Sequence, residues 1–249
     1  MGERERNSIT TNIKIFLSNL LTESVYSAMF SVINRFGQLC LGGMDLEHFF
    51  RLPEERQNSI IDAALKAFGI NGYKKTSVSD IAAEAGISKA MVFHYFGTKK
   101  ALYLYLVELC GRTMMAEIDH HFDNSVTDFF DRMKISSNIE FSVMKRHAAM
   151  PAFLASMYFE NDEEVKADIK NIIDGEEDFR NRIVLEGVDV SKFKDTVNLK
   201  SLIRMLQWIA DGFTKQLNGP EPDFDRFEKE FDECLDMLRN NFYKEEYVS

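Results

Sequence analysis

Residues 76–100 read TSVSDIAAEAGISKAMVFHYFGTKK, and this stretch decides the fold. Thr76 or Ser77 is placed as an N-cap, and Asp80 stands where a capping box puts an acid. Val78, Ile81, Ala82 and Ala85 recur at i, i+3, i+4 and i+7, which lines one helical face with apolar side chains. Gly86 ends that helix, at a position where a left-handed backbone costs little only for glycine. Ser88 caps a second helix running to about Phe96; Gly97 closes it and Thr98 caps a third. Two short helices joined by a glycine turn predict a helix-turn-helix, whose second helix enters a DNA major groove. At 100° per residue Val92 and Phe96 fall inward beside Ile87, while Lys89, Ala90, Phe93 and His94 fall on the opposite side. A cation, a small residue, an aromatic ring and a histidine on one outer face suit a groove. The same spacing also describes a surface helix of an ordinary bundle, so it does not choose alone.

Extended to Glu108, the stretch TSVSDIAAEAGISKAMVFHYFGTKKALYLYLVE resembles the DNA-binding signature of the TetR family of transcriptional regulators. The resemblance covers roughly Pro53 to Glu108. It is most specific at Ile81-Ala82, at Ala85 to Lys89, and at Phe93 to Phe96 followed by Thr98-Lys99. It implies DNA contacts from Lys75, Thr76, Ser77, Ser88, Lys89, Ala90, Met91, Phe93, His94, Tyr95 and Lys99, the last to a phosphate at the start of the third helix. Phe93 departs from the family, which usually carries a tyrosine there whose hydroxyl bonds a phosphate. Phe93 keeps the ring and loses a bond worth roughly 0.5–1.5 kcal/mol. A thymine methyl or a sugar is its remaining partner, with His94 and Tyr95 as the source of the missing polar contact.

A net charge of −10 argues at first against a nucleic-acid partner. Its distribution answers the objection. Residues 44–108 hold eight Lys/Arg and eight Asp/Glu, while residues 109–249 hold 18 and 29. The excess acid lies in the C-terminal part. Hydrophobic residues make up 45% of the 249, enough for a core of one or two domains, and alternating strand-like runs are scarce. An all-α fold follows, with a three-helix DNA-binding head over residues 44–98 and a ligand-binding and dimerisation body over residues 99–249. Cys40, Cys110 and Cys234 are far apart and fit a reducing cytoplasm.

Residues 1–43 form an extension. Ile13, Phe16, Leu17, Leu20, Leu21 and Val25 make a helical stripe. Glu3 and Glu5 spoil a signal-peptide start, and Glu23 and Arg35 bracket a segment too short for the roughly 20 residues a membrane span needs. Met44 is placed as the natural start, with Gly42-Gly43 as a ribosome-binding site read in frame; a genuine amphipathic arm is the alternative.

Pro53 opens a support helix over residues 45–70, with Ile61, Ala64, Leu65 and Phe68 inward and Gly69 and Gly72 as its stop. The third helix spans residues 98–118 with Leu102, Tyr105, Leu106 and Leu109 inward. Further helices are read over residues 125–146, 149–160, 163–186, 199–217 and 224–243. Met-rich, aromatic walls re-pack around varied ligands, and the resemblance implies a cavity for a small-molecule effector here. Phe141, Met144, Phe153, Met157 and Trp208 are its expected lining. Glu140, Glu160 or Asp211 either selects a cationic ligand or is a solvated carboxylate. Asp119, His120, His121 and Asp123 read as a solvated helix end rather than a metal site, because adjacent histidines diverge by about 100°. No cofactor is expected, and no nucleophile elbow, phosphate loop or metal cluster points to catalysis. The apolar stripes Leu202, Leu206, Ile209, Phe213 and Phe224, Phe227, Phe231, Leu235, Leu238, Phe242 suit a two-fold four-helix interface. The expected function is a homodimeric repressor on a palindromic double-stranded DNA operator, released by a small molecule. A small-molecule-binding adaptor on the same fold is the rival reading.

Overall fold

The computed structural model describes residues 46–175, 177–216 and 222–248; the expectations for residues 1–43 lie outside them. Its helices are α1 (Leu46–Phe50), α2 (Glu54–Lys75), α3 (Val78–Glu84), α4 (Lys89–Phe96), α5 (Lys99–His121), α6 (Phe129–Arg146), α7 (Met150–Tyr158), α8 (Lys166–Asp174), α9 (Glu177–Leu185), α10 (Leu199–Gln216) and α11 (Phe224–Phe242). Short 3-10 turns cover Val190–Lys192 and Glu245–Tyr247. Among the described residues no strand forms, and extended pairing is limited to one bridge between Phe193 and Tyr243. The fold is all-α, as the periodicity predicts.

One core joins α1 to α4 with the first turns of α5: Phe49, Ile60, Ala64, Phe68, Ile81, Val92, Phe96, Leu102 and Tyr105 are buried together. The Phe49 ring lies 5.0 Å from that of Phe96, so the short α1 closes the bottom of the head. The Gln57 side chain donates to the carbonyls of Leu52 and Phe50 and fixes the α1–α2 corner.

Two expectations about element ends need correction. Gly69 does not stop α2. The helix runs on to Gly72, whose non-helical backbone (φ 69°, ψ 175°) breaks it as expected, and one further turn continues to Lys75. Gly69 is there for close approach, since a Cβ would sit 2.9 Å from the backbone nitrogen of Phe153 in α7. The long helix expected over residues 163–186 is two helices. Ile169 of α8 packs on the head-side core, whereas Ile183 of α9 joins Ile118 and Phe122. One straight helix could not serve both clusters.

A second core gathers Phe129, Phe130, Phe193, Leu202, Leu206, Leu235, Leu238 and Tyr243 from α6, α10, α11 and the connections. Arg132 of α6 is buried, and its guanidinium donates to the carbonyls of Ile183 (2.8 Å), Val126 (2.7 Å) and Arg182 (3.0 Å). These bonds hold the end of α9 against α6. Among the described residues no helix is long and apolar enough to cross a membrane.

Candidate nucleic-acid interface and ligand cavity

The turn between α3 and α4 is built from capping. Ser77 Oγ accepts from the Ser79 amide, and Ser88 Oγ accepts from the Met91 amide at 3.2 Å. At the end of α3 the Ile87 amide donates to Ala82 and the Gly86 amide to Ala83, a Schellman arrangement that requires the positive φ of Gly86 (63°). Arg56 of α2 then donates to the Gly86 carbonyl at 2.6 Å and fixes the turn from behind.

This frame turns one side of α4 outward. Lys89, Ala90, Phe93 and His94 are exposed, while Val92, Tyr95 and Phe96 are buried. The Lys89 ammonium lies 5.9 Å from the Phe93 ring centre, and the His94 ring lies 5.4 Å from that of His48 in α1. Ser88 is exposed beside them and Met91 is half-buried.

Two residues expected at the DNA face are elsewhere. Tyr95 is 5% exposed and packs against Phe49. On the helical wheel it lies only 60° from Val92, so the same rotation that placed Phe93 outward sends Tyr95 inward. Thr76 is also buried, and its hydroxyl donates to the carbonyls of Gly72 (2.7 Å) and Ala67 (3.0 Å). It ties down the end of α2 and has no donor left for a phosphate. Lys75 is exposed and Ser77 half-buried. Lys99 has intramolecular partners: its ammonium donates to the Lys74 carbonyl at 3.1 Å and sits 4.6 Å from the Tyr73 ring centre.

The head is joined to the body along α2 and α5. Ser156 of α7 donates to the Phe68 carbonyl, and the Tyr73 amide donates to Glu160 just past α7. Burial and then the nearby Glu164 carboxylate push the Tyr73 phenol far above its ordinary range. Lys100 at the start of α5 pairs with Asp168 of α8 at 2.8 Å.

In the body a cavity of about 540 Å³ lies between α5, α6, α8, α9, α10 and α11. Ile118, Met133, Phe179, Ile183, Ile203 and Leu206 supply much of its apolar wall; Ser136, Ser137, Glu140, Asp174 and Gln207 supply its polar groups. None of the five expected lining residues borders it. Phe141 and Met144 pack with Ala155 and Phe227. Phe153 and Met157 face the head-side core, where α7 meets α2. Trp208 is 65% exposed on the outer face of α10, about 100° from the cavity-lining Gln207 and about 140–160° from Ile203, Leu206 and Ala210. Composition alone marked Met and aromatic residues, and composition does not distinguish a packed interface from a cavity wall. Glu140 is the group whose signal was present, as a carboxylate one turn beyond two serines on the same face of α6. Glu140 keeps more than a third of its surface in solvent, yet protein surrounds the carboxyl and burial pushes it up to about 7. Among the described residues no group of three or more His, Cys, Asp or Glu is placed to hold a metal ion.

The model of the bacterial regulatory proteins of the tetR family matches residues 60–106, which run from α2 through α3 and α4 into α5. Residues 60–106 thus carry the DNA-binding segment of the TetR family. The HTH-type transcriptional regulator BetI of Agrobacterium fabrum is 47% identical over 49 residues, 20% of this chain and 24% of that protein. The regulator HbdR of Aromatoleum sp. is 45% identical over 49 residues, 20% of this chain and 21% of the other. The chain thus matches about a quarter of the length of such relatives. Solved TetR structures extend the likeness of fold to the body. A regulator from Chloroflexus aurantiacus superposes with a TM-score of 0.63 at 20% identity, covering 81% of this chain and 100% of that one. FadR of Bacillus subtilis, solved with stearoyl-CoA, superposes with a TM-score of 0.57 at 20% identity, covering 71% and 96%.

Proposed function

We propose that this TetR-family chain is a ligand-responsive transcriptional repressor, a homodimer that binds a palindromic operator and is released by a small molecule in the body cavity. The observation that carries the reading is α5. It begins at Lys99 under the DNA face and brings Ile118 to the cavity wall, so 23 residues, about 35 Å of continuous helix, touch both sites. Residues 44–98 act as the head and residues 99–249 as the body. Ser88, Lys89, Ala90, Met91, Phe93 and His94 face the major groove, with Lys75, Ser77 and Lys99 toward the backbone.

The apolar stripes expected at a two-fold interface pack inside the protomer instead, Leu202, Leu206, Leu235 and Leu238 in the second core and Phe227 beside Phe141; what remains outside is Met205, Trp208 and Gly212 on the outer face of α10 and Met237 on α11. Pairing this face with its copy across a two-fold axis buries the apolar patch and sets two heads on successive major grooves. A ligand that fits only one position of α5 then shifts the spacing of the heads and lowers operator affinity. A ligand such as the stearoyl-CoA of the Bacillus subtilis neighbour brings phosphate charge, for which the described lining offers no cation. A regulator of this kind works on the chromosome, which places the chain in the cytoplasm.

Fluorescence anisotropy of palindromic DNA from the region upstream of the gene, titrated at several salt concentrations, tests the reading. Tight binding that weakens steeply with salt is expected. Absence of salt-sensitive binding there and at neighbouring palindromes would leave the chain a ligand-binding adaptor.

A further inference from the structure

Glu140, Ser136 and Ser137 stand at i, i−4 and i−3 on one face of α6 and form the polar wall of the cavity, with Gln207 from α10 also on the lining. The hydrogen bonds of this wall are one-sided. The Ser136 hydroxyl donates to the Met133 carbonyl at 3.1 Å and the Ser137 hydroxyl to the Lys134 carbonyl at 3.0 Å. Each is left with lone pairs to offer. Ionised Glu140 only accepts. On α6 the wall therefore offers acceptors and no free donor, Gln207 across from it supplying the lining's side-chain N–H, and what complements the α6 face is a group rich in N–H.

The charges around it point the same way. Among the described residues no ion pair or hydrogen bond reaches Glu140, whereas the neighbouring charges are occupied. Asp174 of α8, the other carboxylate on the lining, pairs with Lys170. Asp119 of α5 pairs with Arg182 of α9 at 2.8 Å, and Lys134 of α6 pairs with Asp236 of α11 at 2.7 Å. Asp232 of α11, which is not on the lining, is the exception: burial raises its carboxyl against the field of Lys134 and its Oδ1 has no hydrogen-bond partner, while Arg132 is spent on backbone carbonyls. Of the described lining residues none is Lys, Arg or His. A carboxylate facing an apolar cavity without a counter-charge is costly, and a bound cation relieves that cost.

We propose that the cavity takes a cationic amphiphile, its ammonium group on Glu140 with Ser136 and Ser137, and its apolar part against Phe179, Ile183, Leu206 and Phe231. The proposal rests on the cavity being the effector site. A volume of about 540 Å³ suits a ligand of this size class. Burial alone sets the Glu140 carboxyl near 7, so below neutrality the carboxyl must release a proton before it can pair with the ligand.

Calorimetric titration of the full chain with octylamine, 1-octanol and octanoate tests this, using the wild type, Glu140→Gln and the cavity-filling Ala210→Trp. At pH 8 octylamine should bind wild type at least tenfold more tightly than octanol, and octanoate more weakly than either. Glu140→Gln should bring octylamine down to the affinity of octanol while octanol itself is unchanged, which also shows that the variant is folded. Lowering the pH from 8 to 6 should weaken octylamine several-fold and leave octanol alone. Equal binding of amine and alcohol, or tighter binding of octanoate, overturns the cationic class and leaves the effector site standing. Octylamine binding that survives Ala210→Trp places the amine elsewhere and overturns the proposal. If none of the three probes binds wild type, the effector reading of the cavity fails with it.

Discussion

The backbone amide of Tyr73 donates to Glu160 Oε2 at 2.8 Å, and this bond ties the last turn of the support helix to the end of α7. Glu160 Oε1 meanwhile accepts the amides of Asn161 and Asp162. One carboxylate therefore closes α7 and holds the DNA head on the body. The positive φ of Gly72 precedes it, and Gly69 one turn earlier lets the two helices touch.

Gly69→Ala should cost about 1–3 kcal/mol, because the new methyl meets the backbone of Ala152 and Phe153, which cannot rotate away. Urea unfolding reads this as a lowered midpoint. Glu160→Ala should cost a similar amount, about 1.5–3 kcal/mol, through loss of hydrogen bonds to a charged group. A variant at either site that melts like wild type would mean the joint is not tight.

On the DNA face, Lys99→Ala should reduce the slope of log affinity against log salt by about one unit, since one phosphate contact disappears. This requires the Lys99 ammonium to leave the Lys74 carbonyl when the operator arrives. An unchanged slope would mean that Lys99 stays on Tyr73 and Lys74 as a purely internal tie. Phe93→Tyr should tighten binding by roughly 0.5–1.5 kcal/mol, because Phe93 is 38% exposed and a hydroxyl added there reaches outward.

How much of this was legible follows from the kind of signal each part leaves. The helix-turn-helix is local: Ser77, Gly86, Ser88 and Thr98 act within four residues of themselves, so spacing alone located the turn and the caps. The buried faces of α3 and α4 came from the same periodicity. Thr76 was misread because its partners, Ala67 and Gly72, are reached only once α2 has bent at Gly72. The cavity was misread for a deeper reason. Phe153 and Met157 look like ligand-binding residues by type, but α7 spends them on α2, a contact between segments some 80 residues apart that no local pattern encodes. Trp208 is expected on the lining because it is large and apolar, although its position on α10 turns it away from Gln207 and Ala210.

That outward position makes Trp208 the centre of the proposed dimer face. Trp208→Ala should weaken dimerisation by 2 kcal/mol or more, roughly a 30-fold rise in dissociation constant, as expected for a buried aromatic anchor. Sedimentation equilibrium measures it. Gly212 supplies the comparison, since nothing lies within 4 Å of a Cβ added there. Within the protomer Gly212→Ala should stabilise α10 by up to about 1 kcal/mol. If the partner helix crosses at Gly212, the same substitution should weaken the dimer.

Glu140 carries a pH dependence whose sign can be worked out. Burial raises its carboxyl to about 7 in the folded chain, against an ordinary value of 4.5. The folded state thus binds the carboxyl proton more tightly than the unfolded state does. The resulting contribution to stability is complete below about pH 4.5 and is lost as the pH climbs through 7. Glu140→Gln has no such proton to lose. Without ligand it should match wild type at pH 4.5 and exceed it at pH 8 by about 1 kcal/mol, once solvent at its exposed surface has screened much of the charge. Thermal melts of the two proteins across this range should therefore diverge upward through neutrality. Parallel curves would show that the Glu140 carboxylate already has a counter-charge in the free protein.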